Sequence, residues 1–417
     1  MKVGAGKSEI CLPDDYLPAE GFSRLCHPLQ VRTAILSGNM ELVILSVEMT
    51  SLPPEEIDRL KEILNEVTGV PKTQCFICVT HTFSAPHIMP DAALKTARER
   101  QQREELRTAL EQAVRESART AAGNLTEIRL QTGDGTCTVN SNRDIETAAG
   151  WWVATRGDGP ADRSVHTVWA ENKNRDPVLI FYHYAVQPSV LDGSLLSDGG
   201  KAVSGDLAGV ASRQLEQNHP GATAIFLIGA AGDQAPVRKA RTLCQDSGGE
   251  WEEQDLGEEG LRLCEALGTE LAEAVAVAMA DSLPVDDTNM LLEQVGFLVP
   301  AKEMKAGLRE LKPTRKTPYI PAGERKTEVE VLQIGPIALV CVKPELNYVT
   351  AGQIMKGSPF ERTLVLTMVN GGAKYMADED SYDRITYQAM NSPFGKGAAE
   401  ILQKETISLL EKIYERS

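Results

Sequence analysis

The 417-residue sequence has no run approaching the roughly 20 apolar residues needed to span a bilayer. Its start, Met1 to Ser8, has neither an apolar h-region nor a small-residue cleavage site. These absences predict a cytoplasmic protein with no stable membrane association. Excess positive charge is also missing: 43 Lys and Arg stand against 59 Asp and Glu, a formal charge of −16. Nucleic acid and anionic membranes both reward clustered Lys and Arg, so neither is expected as a partner. A small-molecule substrate is expected instead. The eight cysteines are scattered, mostly within apolar runs, which fits reduced, buried thiols better than disulfides. Cys75-x-x-Cys78 is the one close pair, and on a strand its members point to opposite faces, against a redox role. Gly4-Ala5-Gly6-Lys7-Ser8 ends like a phosphate-binding loop but lacks the earlier glycine and a preceding strand.

What is present reads as α/β: mixed sheets with β-α-β units and flanking helices around one cleft. Val31 to Leu36 and Leu42 to Val47 flank the turn Ser37-Gly38-Asn39 as a hairpin. A helix follows, with Ser51 as its cap, Pro53 and Pro54 in its first turn, an apolar face at Ile57, Leu60, Leu64 and Val67, and Gly69 at its end. The strand Cys75 to Val79 then completes a β-α-β unit. A second unit runs from Val178 to Val186, through a helix at Leu207 to Leu215, to Thr223 to Ile228. Further helices are expected near Leu106 to Ala118, Leu261 to Ala278 and Ala398 to Tyr414, and a hairpin around Gly335-Pro336. The chain is expected to form a single domain over residues 1–417, with surface excursions near 238–258 and 301–327. Both β-α-β units end in small, polar loops, which predicts adjacent strands whose C-terminal ends face one cleft.

Chemistry is expected at those strand ends. Thr80-His81-Thr82-Phe83-Ser84-Ala85-Pro86-His87 follows directly on the apolar run Cys75 to Val79, and only six histidines occur in the chain. His81 is therefore the leading candidate, and His87 is open between a site role and capping the next segment. Glu345 follows the strand Ile337 to Val342 and Pro344, which would bring a carboxylate to a strand terminus; a helix N-terminal charge is the bland alternative. Asp233, in Gly232-Asp233-Gln234-Ala235-Pro236, is either a turn residue or a group that orients its neighbours. Trp151 and Trp152 either pack or wall the site.

As a set these segments resemble the neutral ceramidases and their shorter bacterial relatives, zinc amidohydrolases that cleave an N-acyl bond. The family's Thr-His-Thr-His-Ser-Gly-Pro resembles Thr80 to Pro86, and its Asn-Arg pair Asn142-Arg143. Its Gly-Asp-Val-Ser-Pro loop is similar to Gly232 to Pro236, its Pro-Gly-Glu-Phe element to Lys343-Pro344-Glu345-Leu346, and its Tyr-x6-Tyr-x4-Tyr spacing recurs at Tyr375, Tyr382 and Tyr387. The resemblance implies zinc or another divalent metal held by His81, Glu345 and Tyr375. Gln187, before Pro188, stands where the family has histidine, so the implied fourth ligand is an amide oxygen and weaker metal binding is expected. His183, four residues upstream, is displaced by about 13 Å at roughly 3.3 Å per residue and does not substitute for it.

The resemblance thus implies a metal-dependent hydrolase of a linear amide in a small N-acylated molecule. A divalent ion lowers the pKa of water towards about 7 for attack on the carbonyl, and Arg143 and Tyr387 would stabilise the oxyanion. Phe83 and Ala235 replace the family's second histidine and its loop serine. Those departures leave two alternatives: a non-catalytic ligand-binding or sensing member that has lost the metal, or an ester or lactone hydrolase.

Overall fold

The structure, a computed structural model, describes residues 1–154, 157–245, 251–304 and 310–416. Several strands are apolar at nearly every position, which requires burial on both faces. Along Glu41–Val47 and Cys75–Val79, the residues Val43, Leu45, Val47, Cys75 and Ile77 enter one core, and Leu42, Ile44, Phe76 and Cys78 enter another. Cys75 and Cys78 are therefore separated by the sheet, as the strand period requires.

The same order of elements occurs three times. In each case three antiparallel strands are followed by a helix and by a fourth strand that runs parallel to the third. The first copy is Lys2–Glu9, Gln30–Ser37, Glu41–Val47, helix Pro54–Thr68 and Cys75–Val79. The second is Arg129–Thr136, Ser164–Glu171, Pro177–Tyr184, helix Asp206–Asn218 and Thr223–Ile228. The third is Met290–Met304, Tyr319–Ile334, Ile337–Cys341, helix Tyr348–Gly357 and Arg362–Leu366. After each copy a long helix, Ala97–Gly123, Glu259–Ala280 or Ala398–Tyr414, packs back on the first two strands of its own sheet. The inner faces of all three sheets meet in one core, with Leu36, Ile44 and Phe76 from the first, Val168, Leu179 and Phe181 from the second, and Leu332, Leu339 and Leu364 from the third. Each such side chain contributes about 1.5–3 kcal/mol on burial.

The two β-α-β units read from sequence are present, but on separate sheets rather than as neighbours in one. The third was not legible, because its helix carries only three buried residues, Thr350, Ala351 and Ile354. Helix Pro54–Thr68 is entered through Pro53, not capped by Ser51; it ends as expected at Gly69, whose φ of 78° suits glycine. The two expected surface excursions are largely sheet. Trp251–Asp255 pairs with Arg241–Gln245, while 246–250 lie outside the described residues. Met290–Met304 pairs with Tyr319–Ile334 well into the 301–327 segment, where Lys302 is buried and donates to the Met390 carbonyl at 2.9 Å; residues 305–309 lie outside the described residues.

His183 sits in the second sheet, donating from Nε2 to the Val365 carbonyl at 3.0 Å, with no partner for Nδ1. Burial, and then the charge of His166, push its pKa down to about 4. The unfolded chain takes up a proton near pH 6.5 that the folded protein refuses, so stability is present above pH 6.5 and lost as pH falls towards 4. Between pH 7 and pH 5 the loss from this residue is expected to be on the order of 2 kcal/mol. Urea unfolding at the two pH values should show it in wild type and a smaller drop in His183→Gln.

Candidate functional site

Three strand ends deliver the polar groups, consistent with the preference of ligands for the carboxyl ends of strands. His81 follows Cys75–Val79, Gln187 follows Pro177–Tyr184, and Glu345 follows Ile337–Cys341. Glu345 and Tyr375 are register partners in a short parallel pair, Glu345–Leu346 with Tyr375–Met376. The loop after Cys75–Val79 is clamped from both sides. His81 N donates to the Met49 carbonyl at 3.0 Å, Phe83 N to the Pro188 carbonyl at 3.1 Å, and Thr82 Oγ1 to the Ser204 carbonyl at 2.9 Å. This holds His81 at a φ of 63°, which costs a non-glycine residue conformational energy and is most often found where a side chain must be aimed.

His81 Nδ1 lies 2.5 Å from the Thr50 carbonyl oxygen. A carbonyl only accepts, so Nδ1 carries the hydrogen. Nε2 then stands 3.2 Å from Glu345 Oε1 without a hydrogen bond, and both side chains are buried. Two lone-pair groups facing each other away from water require a cation between them, either a proton on Nε2 or a metal ion. Burial opposes protonation of His81, but the Glu345 charge raises its pKa; burial likewise opposes ionisation of Glu345, and His81 followed by Arg143 lowers its pKa.

The other Glu345 oxygen, Oε2, accepts from Gln187 Nε2 at 2.6 Å, and Gln187 Oε1 accepts from Arg143 Nη1 at 2.8 Å. Guanidinium only donates, so the amide cannot exchange its ends. Gln187 therefore turns its N–H group towards Glu345 and Tyr375, and its oxygen is committed to Arg143. Arg143 Nη2 also donates to the Tyr375 hydroxyl at 3.0 Å and to the Gly232 carbonyl at 2.8 Å, and among the described residues Nε has no partner. Burial works against the Arg143 charge, but Tyr375 and Glu345 outweigh it and the group stays ionised. The Tyr375 hydroxyl is pushed up to about 12, chiefly by burial.

Asp233 lies beneath this network. Its carboxylate accepts from Asn142 Nδ2 at 2.9 Å and Tyr348 N at 3.0 Å, and its own carbonyl accepts from Arg143 N at 3.0 Å. Burial, then Asp144, pushes its pKa up to about 7. It fixes the backbone that carries Arg143. Gly232 is required beside it, since a Cβ there would stand 2.8 Å from the Leu346 carbonyl oxygen.

A cavity of about 360 Å³ opens above Arg143, Gln187, Tyr375 and Tyr387, with Phe83 and Ala235 in its wall. The Tyr387 hydroxyl accepts from Asn391 Nδ2 at 3.2 Å, leaving its own hydrogen to donate. His81 and Glu345 stand behind Gln187, outside the lining. Trp152 packs edge-on against the Tyr387 ring at 5.5 Å, and neither tryptophan lines the cavity. His87 is elsewhere, 2.7 Å from Glu20, and His183 does not join the site. Sequence reasoning missed the Thr50 carbonyl, a backbone group with no signature. It also missed Lys239, Arg241, Asp192 and Glu253 at the cavity wall, which read as ordinary surface charge.

As a metal centre the set fits in part. The orphaned Nε2 of His81 and the facing Glu345 oxygen suit a cation, with Tyr375 close by. Gln187 offers hydrogens where a ligand needs a lone pair and fits as a holder of Glu345. Among the described residues no group of three or more His, Cys, Asp and Glu converges, and no helix is long and apolar enough to cross a membrane.

No family model and no curated protein matches the sequence. Solved structures do match. The chain is similar to neutral ceramidase from Pseudomonas aeruginosa with a TM-score of 0.74 at 14% identity, over 100% of this chain and 74% of that one. It is equally similar to a ceramidase complexed with C2, with a TM-score of 0.74 at 14% identity, over 100% and 75% of the two chains. A likeness that runs through the whole chain at this identity is a likeness of architecture, and it includes all three sheets. The chain has the neutral ceramidase fold.

Proposed function

We propose that the protein hydrolyses a linear N-acyl amide bond in a small molecule, with a divalent ion, zinc first, held by His81 and Glu345 beside Tyr375. The observation that carries this reading is the buried approach of His81 Nε2 to Glu345 Oε1 at 3.2 Å, with the tautomer set by Thr50. Such an ion would supply Lewis acidity for polarising a carbonyl and lowering the pKa of water.

The remaining work falls to the chain's own groups. The acyl carbonyl lies in the cavity against Tyr387, whose free O–H receives the negative charge that develops on its oxygen, with the Arg143 charge beside it. Water adds to the acyl carbon, the C–N bond breaks, and the nitrogen leaves as amine with a proton. Gln187 and Asp233 take no proton; they hold Glu345 and Arg143 in place. Arg143→Ala is expected to lower kcat/KM by on the order of 100-fold or more. Arg143→Lys should recover little of it, because an ammonium cannot serve Gln187, Tyr375 and Gly232 in one plane. Steady-state kinetics on both variants checks this.

A second reading, a non-catalytic binding or sensing protein, is favoured by one specific arrangement: Gln187 and Phe83 face the cavity while His81 and Glu345 are shut behind them. Elemental analysis of protein purified without chelator, run with an N-acyl amide and ester panel, separates the two. About one equivalent of metal with amine release supports the hydrolase. Metal-free protein that binds ligand saturably and releases no amine supports the binder, and turnover confined to esters moves the reaction to that bond.

A further inference from the structure

The cavity has a wall that hydrolysis does not use. Lys239 Nζ lies 3.0 Å from Asp192 Oδ2, and Arg241 pairs with both oxygens of Glu253 at 2.7 and 2.9 Å. All four side chains join Arg143 in the lining. Glu345, behind Gln187, is the counter-charge of Arg143, so the wall cations Lys239 and Arg241 face Asp192 and Glu253 one to one. A cation in a cleft with low-dielectric walls draws anions to it once its own carboxylate is released to water.

The two wall cations are not equivalent. Arg241 is tied down a third time, to the Gly193 carbonyl at 2.8 Å. Among the described residues Lys239 has Asp192 alone as a hydrogen-bond partner, and the Asp192 side chain is 44% exposed. Asp192 can be rehydrated when Lys239 turns to a ligand, so the exchange costs little. Size narrows the ligand further. About 360 Å³ lies near the lower end of the range for small-molecule clefts, about 300–1,000 Å³.

We propose that the site takes a short N-acyl compound bearing an anionic group, a carboxylate first, with Lys239 as its anchor. The identity of the bond that is cut rests on the hydrolase reading above; the binding preference does not.

The test uses the full chain with two probes that share an acyl group and an amide, N-hexanoylglycine and N-hexanoylethanolamine. Calorimetry reads binding and amine release reads turnover. The glycine conjugate is expected to bind about tenfold more tightly, the scale of one charge-assisted hydrogen bond in a partly solvated site. Lys239→Ala should bring that ratio close to one, and Asp192→Asn, which removes the competing carboxylate, should raise it. Equal or tighter binding of the neutral probe, no binding of either at millimolar concentration, or a ratio that survives Lys239→Ala would each overturn the proposal. A clear preference without amine release leaves the anionic site standing and removes the hydrolase reading. Amine release from both probes with equal or tighter binding of the neutral one does the reverse.

Discussion

His81→Ala and Glu345→Ala are each expected to take the protein from about one equivalent of divalent metal to nearly none, and to lower amide turnover by on the order of 10³-fold. The magnitude follows from what each change removes. A site in which only two strong donors face each other has no reserve, so losing either breaks the chelate. Losing the electrostatic stabilisation of the developing oxyanion costs at least as much as losing one oxyanion donor, about 10²–10³. Glu345→Gln is the informative companion. It keeps the shape and a hydrogen-bond partner for Gln187 but removes the charge that opposes His81, so metal should be lost with little change in stability. Elemental analysis with kinetics on the three variants checks this. Full metal occupancy in His81→Ala would place the ion elsewhere and sink the assignment.

The largest effect on stability is expected away from the site. Arg32 is 2% exposed, yet it carries a charge onto the inner face of the first sheet, the side of its strand shared by Ala34 and Leu36. Its Nη1 donates to Glu48 at 2.6 Å and its Nε to Glu216 at 2.8 Å, while Lys7 closes on the other Glu216 oxygen at 2.6 Å. Glu48 has little room to move, since a Cβ on Gly205 would come within 2.4 Å of its Oε2. Arg32→Ala therefore leaves the buried Glu48 without its cation and Glu216 with Lys7 alone, and should destabilise the fold by about 3–5 kcal/mol. A triple replacement of Arg32, Glu48 and Glu216 by apolar residues of similar volume should cost far less, because desolvation of the ions is then no longer required. Urea denaturation of the single and triple variants measures both. A single variant within about 1 kcal/mol of wild type would mean that water reaches the cluster. The cluster also bears on function: Glu48 lies two residues before Thr50, whose carbonyl sets the His81 tautomer.

Much was legible along the chain itself. Period-2 and period-3.6 patterns, with glycine and proline at their edges, located the hairpin around Gly38, the helix ended by Gly69 and the helix Ala398–Tyr414. These signals are local, so they survive without knowledge of the fold. The polar cluster after Cys75–Val79 pointed to His81 for the same reason. Glu345 was legible as a carboxylate after the strand Ile337 to Val342, Arg143 and Tyr375 took site roles only through the resemblance, and the structure brings all four, with Gln187, into one connected group.

The remainder depended on residues far apart in sequence. The threefold recurrence of three antiparallel strands, a helix and a parallel strand has no sequence period, because the insertions between its parts differ in length and the copies share shape rather than residues. The end of Gln187 that faces Glu345 was decided by Arg143, 44 positions away. The cation of the buried cluster was assigned by Glu216, 184 positions from Arg32, and the charged wall of the cavity by Lys239 and Arg241 meeting carboxylates from other segments. The sequence by itself determined where strands and helices begin and which strand end carries histidine, since propensity and periodicity act over a few residues. Which groups face one another, and so which charges need a cation, only the tertiary structure decided, because pairing energies depend on distance in space and on exclusion of water.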